Sequence, residues 1–162
     1  MIRKAQLIGA WTLESYTAED VVSGEVSYPM GRNPEGLILY TTDGYMSAQL
    51  GSAQRDRFEN DDVFGGSAND YSKAGRSYIA YSGPFHFDEK KGRLEHEMFV
   101  SFYPNWKGQR QVRLVEIDDD RLHLAPDHPM PVNGRLKTVS LIWKRAAPQL
   151  RTRMKTETHN VS

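Results

Sequence analysis

One histidine occupies a position from which it could carry acid–base chemistry. From residue 94 onward apolar and polar side chains alternate, and successive residues of a β-strand point to opposite faces. The face that includes this histidine is formed by Leu94, His96, Met98, Val100 and Phe102. A neutral imidazole among apolar groups can accept or donate a proton, or bind a ligand carbonyl. A core histidine bonded to a protein neighbour is the alternative, and the sequence leaves both open.

A group of tyrosines earlier in the chain could assist this histidine. The residues that recur there at helical spacing are Tyr71, Ala74, Tyr78 and Tyr81. Ser67 followed by Asp70 is typical of a helix start, and Gly83 with Pro84 predicts the helix end. A helix lying across a cavity would present the phenol of Tyr78 to a polar ligand. Ordinary packing of this helix on a sheet is the alternative.

A third candidate, Tyr40, precedes a predicted tight hairpin turn over residues 41–44. The sequence Thr-Asp-Gly suits a type I turn in which Gly44 takes a positive φ, giving a three-residue loop. With that loop, one face of the hairpin would hold Ile38, Tyr40, Met46, Ala48 and Leu50. A two-residue loop would reverse the face of the second strand. We predict that Tyr40 and Met46 line the cavity, with plain core packing as the alternative.

Two further residues could contact a ligand. Trp106 lies in a predicted loop over residues 104–108, where a ring could gate a cavity or stack on its occupant, unless it serves only to anchor its own loop. Arg113 has apolar neighbours on both sides in a predicted strand. If it points inward it requires an anion as partner, whereas an outward, solvated arginine is the more frequent case.

The elements that must position these residues are short strands. Gly and Pro punctuate the chain, and the segments between are rich in β-branched and aromatic residues, as in an all-β sandwich or barrel. In the first strand, Trp11, Leu13 and Ser15 share a face opposite Tyr16. The predicted strands are residues 8–19, 25–30, 36–41, 45–50, 85–88, 93–103, 109–117, 121–125 and 135–144. Closing such a sheet removes its edges, and about eight strands can enclose one small ligand.

Composition excludes several classes of function. The chain of 162 residues has no cysteine and equal numbers of acidic and basic residues, so disulfides, thiolate metal sites and a basic nucleic-acid surface are not expected. No histidine pair has metal-ligand spacing, and no nucleophile elbow is present. Without a signal-like or membrane-spanning apolar run, we expect a cytoplasmic protein. Residues 1–146 form the predicted domain and residues 147–162 a mobile tail.

The first and last predicted strands carry a family resemblance. Gly9-x-Trp11 opens the chain's first strand, and Arg145 ends its last. Together with GLILYTTDGYMSAQL, SYIAYSGPF, FYPNW and DRLHL, this pattern resembles the intracellular lipocalin-like domain proteins of bacteria and fungi, a calycin family. The resemblance implies an antiparallel β-barrel of about 8–10 strands with one inserted helix covering it. It also implies structural roles for Gly9, Trp11 and Arg145, with the tryptophan plugging the closed end under the basic residue.

The sequence supports two functions of different classes. One is an enzyme without a cofactor, an isomerase, cyclase or dehydratase of secondary metabolism, with His96, Tyr78 and Tyr40 as catalytic residues. The alternative is a non-catalytic carrier or sensor. In both, the ligand is small, hydrophobic and polyketide- or terpenoid-like, and it contacts Ile38, Met46, Ala48, Tyr81, Met98, Phe102, Trp106 and Arg113. Membrane and nucleic-acid partners are not expected, and the near-neutral charge allows a homodimer.

Overall fold

The computed structural model describes residues 1–149, and most of the predicted tail over residues 147–162 lies outside that part. The helices are α1 (Lys4–Leu7) and α2 (Ala68–Arg76), with a 3-10 turn at Pro104–Trp106. The strands are β1 (Gly9–Asp20), β2 (Val26–Ser27), β3 (Pro34–Tyr40), β4 (Tyr45–Ser52), β5 (Tyr78–Asp88), β6 (Arg93–Glu97), β7 (Val100–Ser101), β8 (Arg110–Asp118), β9 (Arg121–Pro126), β10 (Met130–Val132) and β11 (Arg135–Arg145).

Eight antiparallel strands close into a barrel, as the sequence predicts. The order runs β1-β3-β4-β5-β6-β8-β9-β11, and β11 returns to β1. That closing ladder extends from the pair Trp11–Arg145 to the pair Asp20–Lys137, so almost the full length of β1 is paired. The remaining strands, β2, β7 and β10, are two or three residues long and attach to this barrel. Closure satisfies the backbone groups that would form two open edges.

The hairpin between β3 and β4 has the predicted register. Tyr40 pairs with Met46, and Gly44 adopts a φ of +95°, which glycine tolerates because it has no Cβ. The Thr41 hydroxyl accepts a hydrogen bond from the Tyr45 N–H at 3.0 Å and holds the loop. The predicted inward face is confirmed, because all of its members are buried: Ile38, Tyr40, Met46, Ala48 and Leu50.

The inserted helix begins as predicted but ends earlier. Ser67 caps it, accepting a hydrogen bond from the Asp70 N–H at 3.1 Å. The helix stops at Arg76, and the prediction that it continues through Tyr81 was wrong. Residues from Tyr78 onward pair with β4 instead. Their aromatic and β-branched side chains suit a pleated sheet, and the hydrogen bonds and packing of this ladder stabilise the strand more than helical spacing of the tyrosines would stabilise a helix. The predicted roof of tyrosines therefore does not form.

The predicted strand over residues 93–103 is interrupted by an extra residue. Phe85 pairs with His96 of β6, whereas Ser82 pairs with Val100 of β7. The two pairs are three residues apart on β5 but four residues apart on the opposite segment. Gly83 makes this bulge possible, because a Cβ there would lie 1.8 Å from the Glu97 carbonyl oxygen. An extra residue inverts the faces beyond it. Val100 and Phe102 therefore point outward, and their predicted inward orientation was wrong.

The closed end of the barrel is built around Trp11. Its ring is fully buried, and its Nε1–H donates to the Leu7 carbonyl of α1 at 2.9 Å. The Arg145 guanidinium lies 3.6 Å from the ring centroid and donates to the carbonyls of Ile8, at 2.7 Å, and Gln6. Gly9 has a φ of +120°, and a Cβ there would lie 3.0 Å from an Arg145 nitrogen. These contacts fasten the first and last strands together over the plug.

Candidate ligand-binding site

A polar pair lies inside the barrel. Tyr40 of β3 and His96 of β6 approach each other across the interior, with the phenol oxygen 2.9 Å from His96 Nε2. The histidine is fully buried and the tyrosine 2% exposed. Both residues were predicted from strand alternation, and the structure joins them by a hydrogen bond. The other imidazole nitrogen, Nδ1, is buried with no hydrogen-bond partner in the described chain.

The surroundings keep both members of this pair neutral. Burial, with a smaller contribution from the positive charge of Arg113, holds the pKa of His96 well below its ordinary value of 6.5. Burial also raises the pKa of Tyr40 well above 10. A neutral imidazole and a neutral phenol can hydrogen-bond a carbonyl or hydroxyl group. The unpartnered Nδ1 is the position where such a bond would be gained.

A small cavity lies beside the pair in the open half of the barrel. It has about 40 Å³ of free space, enough for a few water molecules. Its walls are formed by Tyr16, Leu50, Ile79, Tyr81, Trp106, Arg113, Pro126, Met130, Val139 and Leu141. Tyr81 connects it with the pair, since its ring centroid lies 6.0 Å from that of His96. The walls are mostly apolar and aromatic, with one charged group.

That charged group, Arg113, points inward. It is 9% exposed, and β8 places it on the same face as buried Val115. Its guanidinium donates to Gln111 Oε1 at 2.7 Å and to the Val112 carbonyl at 3.1 Å. Among residues 1–149, no carboxylate lies within 4.0 Å of it. The more frequent outward orientation was thus the wrong expectation for this arginine.

Trp106 covers the cavity from the mouth of the barrel. It lies on the 3-10 turn, half-buried, with its ring edge-to-face against Tyr81 at 5.8 Å and against Tyr103 at 5.6 Å. Outside it runs a groove of about 420 Å³. Cavity and groove share four residues, Trp106, Arg113, Pro126 and Met130. These four side chains therefore lie between the cavity and the groove.

The remaining predicted site residues fall into two sets. Ile38, Met46, Ala48 and Met98 are buried in the core below the cavity rather than in its wall. Tyr78 and Phe102 lie on the outside. The Tyr78 hydroxyl donates to Gln49, and the Arg55 guanidinium lies 4.7 Å above its ring. Phe102 packs near Gly75 of α2. Tyr78 therefore lies apart from His96, and Tyr78 is not a member of the predicted catalytic group.

Sequence reasoning missed several wall residues, and Tyr16 is the clearest. A register shift between Leu13 and Ser15 turns Tyr16 inward, whereas uninterrupted alternation had placed Ser15 there. Burial raises the pKa of Tyr16, so this phenol is neutral as well. The only signal for Tyr16 is that an apolar ring should be buried in preference to a serine hydroxyl.

The outer face carries a second polar constellation. Ser140, His123 and Glu116 lie on neighbouring strands, with the serine oxygen 2.7 Å from His123 Nε2 and the glutamate 3.6 Å from Nδ1. The contacts run from serine to histidine to carboxylate, as in a hydrolytic triad. However, the three residues lie on paired strands, where the backbone N–H groups that could stabilise an oxyanion already form the hydrogen bonds of the sheet. We interpret this group as a cross-strand polar row.

Other classes of site lack support within residues 1–149. That part of the chain contains no group of three or more His, Asp or Glu side chains placed to hold a metal ion. Within the same residues, no helix has the length and hydropathy of a membrane-spanning segment.

The fold and its interior agree with one family of proteins. The family model for the lipocalin-like domain matches residues 8–146, and the chain belongs to this family, which confirms the resemblance found in the sequence. A relative from Aspergillus oryzae (strain ATCC 42149 / RIB 40), the 4'-hydroxy-3'-methoxypropiophenone carrier protein ppsC, is 33% identical over 106 residues. The match covers 62% of this chain and 96% of that relative.

Proposed function

We propose that this protein binds a small aromatic ketone, or a molecule of similar size and polarity, in the open half of the barrel and carries it. The observation that carries the proposal is the cavity beneath Trp106, with mostly apolar and aromatic walls that also include the polar groups of Tyr16, Tyr81 and Arg113. Such a site can bury a flat apolar body and still bind an oxygen atom. The relative's name, a propiophenone carrier, supports the same class of ligand.

The size of the cavity requires a movement on binding. A benzene-sized ring needs a cavity of about 150 Å³, whereas the space beneath Trp106 is about 40 Å³. The loop that carries Trp106 has one short helical turn, and the ring faces the groove on its outer side. We propose that Trp106 swings outward, and that the ligand enters between it and Met130.

Binding is tested with 4'-hydroxy-3'-methoxypropiophenone, by isothermal titration calorimetry and by thermal unfolding. We expect saturable one-to-one binding and, at one hundred times the dissociation constant, about 2.7 kcal/mol of added stability. In Leu141→Trp the larger ring fills the cavity, so binding should weaken at least tenfold. Leu114→Trp is the matched control, because Leu114 is exposed on the outer face of β8. Equal binding by both variants would contradict a site inside the barrel.

The buried His96–Tyr40 pair favours a second candidate function. A neutral imidazole beside the cavity could remove a proton from the carbon next to a bound carbonyl, as an isomerase, cyclase or dehydratase without a cofactor would require. In D₂O, such an enzyme would exchange that hydrogen faster than buffer does, and His96→Gln would abolish the exchange. A carrier would release the ketone unlabelled, which mass spectrometry detects directly.

A further inference from the structure

Arg113 is a buried cation that has no counter-ion among residues 1–149. A guanidinium keeps its charge in proteins, and burying a charge is costly unless it is paired. Gln111 and Val112 supply two neutral acceptors, and no carboxylate of residues 1–149 lies within 4.0 Å. Because Arg113 lines both the cavity and the groove, its free N–H groups face the space into which a ligand would enter.

The titratable groups around Arg113 do not provide the missing charge. Around the cavity, Tyr16 comes from β1, Tyr40 from β3, Tyr81 from β5 and His96 from β6, and none of them is a carboxylate. The groove outside also holds Arg110, His128 and one carboxylate, Asp127. That carboxylate is paired with Arg93 at 3.0 Å and with His128 at 2.7 Å, and it is not within 4.0 Å of Arg113. Burial raises the pKa of Tyr16 and Tyr40, so both phenols stay protonated. Burial lowers the pKa of His96, so the imidazole is neutral. The interior around the cavity is therefore net positive before a ligand enters.

We propose that the ligand itself supplies the negative charge, as a phenol that binds in its anionic form with its oxygen against Arg113. This inference rests on the proposed function and specifies its ligand class. The aromatic walls formed by Tyr16, Tyr81 and Trp106 suit a flat ring. A charge-assisted hydrogen bond to a guanidinium is among the strongest that a protein offers. On binding, the phenol O–H releases its proton to bulk solvent.

The test compares a phenol with its ether. The probes are 4'-hydroxy-3'-methoxypropiophenone and 3',4'-dimethoxypropiophenone, which lacks the ionisable hydrogen. At a pH about one unit below the pKa of the free phenol, we expect the complex to show the absorbance band of the phenolate. The phenol should also bind about tenfold more tightly than the ether.

Three variants assign the effect to the guanidinium. Arg113→Gln should lose both the phenolate band and the preference for the phenol. Arg113→Lys should keep the band, since it retains a positive charge. Arg121→Gln is the matched control, because Arg121 is exposed on β9 and pairs with Glu14. Thermal unfolding of each variant without ligand verifies that it is folded.

The outcomes separate this inference from the function on which it rests. Equal affinity for phenol and ether, with no phenolate band, would overturn the anionic ligand and leave the carrier proposal standing. A phenolate band that persists in Arg113→Gln would likewise overturn the role of Arg113. Failure of both compounds to bind the wild-type protein would overturn the carrier proposal and this inference together.

Discussion

Replacing Trp11 with alanine should destabilise the protein by about 3–5 kcal/mol. The ring is fully buried at the closed end, so its removal leaves a large cavity in a place where the closed β1–β11 ladder prevents collapse. The substitution also removes the partner of the Leu7 carbonyl and the surface on which the Arg145 guanidinium packs. Urea unfolding at neutral pH, followed by far-ultraviolet circular dichroism, measures the loss.

Trp106→Ala is the matched control for this prediction. It removes a ring of the same size, but one that is half-buried on a loop at the other end of the barrel. We expect it to cost less than half as much as Trp11→Ala. Similar losses for the two variants would contradict the assignment of Trp11 as the plug of the closed end.

Acidification from pH 7.5 to pH 5.0 should cost up to about 2 kcal/mol of stability because of His96 alone. In the unfolded chain its pKa returns to about 6.5, whereas burial keeps the folded pKa well below that value. Between the two values the unfolded state binds a proton that the folded state does not. Stability is therefore complete above pH 6.5 and falls, by up to about 1.4 kcal/mol per pH unit, as the pH decreases towards the folded pKa.

Urea unfolding at the two pH values checks this dependence. His96→Gln removes the titration and keeps a polar group near Tyr40, so its stability should change less between pH 7.5 and 5.0. His86→Gln is the control at an exposed histidine and should keep the wild-type slope. The carboxyl of Asp20, whose pKa backbone hydrogen bonds from Ser23 and Val22 lower to about 2, titrates below this range. An unchanged slope in His96→Gln would disprove the attribution.

Much of the candidate site could be predicted from local pattern. The alternation around His96 and the Thr-Asp-Gly turn that ends at Gly44 were enough to predict that His96 and Tyr40 point inward. In the structure, the Tyr40 hydroxyl oxygen lies 2.9 Å from His96 Nε2. Trp106 was predicted from its place in a loop, and it lies at the cavity mouth. Each of these predictions depends on a few residues that are close in sequence. Contacts with distant parts of the chain therefore do not change the direction in which these side chains point.

The all-β barrel, the β3–β4 hairpin and the inward face on which His96 lies all follow from patterns in the sequence. In contrast, the pairing of distant strands is needed to explain why Tyr16 and Arg113 line the cavity and why Tyr78 and Phe102 do not. For Tyr78 the reason is that the helix ends at Arg76 and the chain continues as β5. For Tyr16 and Phe102 the reason is the two-residue period of a strand. One extra residue, as between Leu13 and Ser15 or opposite Gly83, inverts every side chain beyond it. Whether such a residue is accommodated depends on the neighbouring strand, which is distant in sequence.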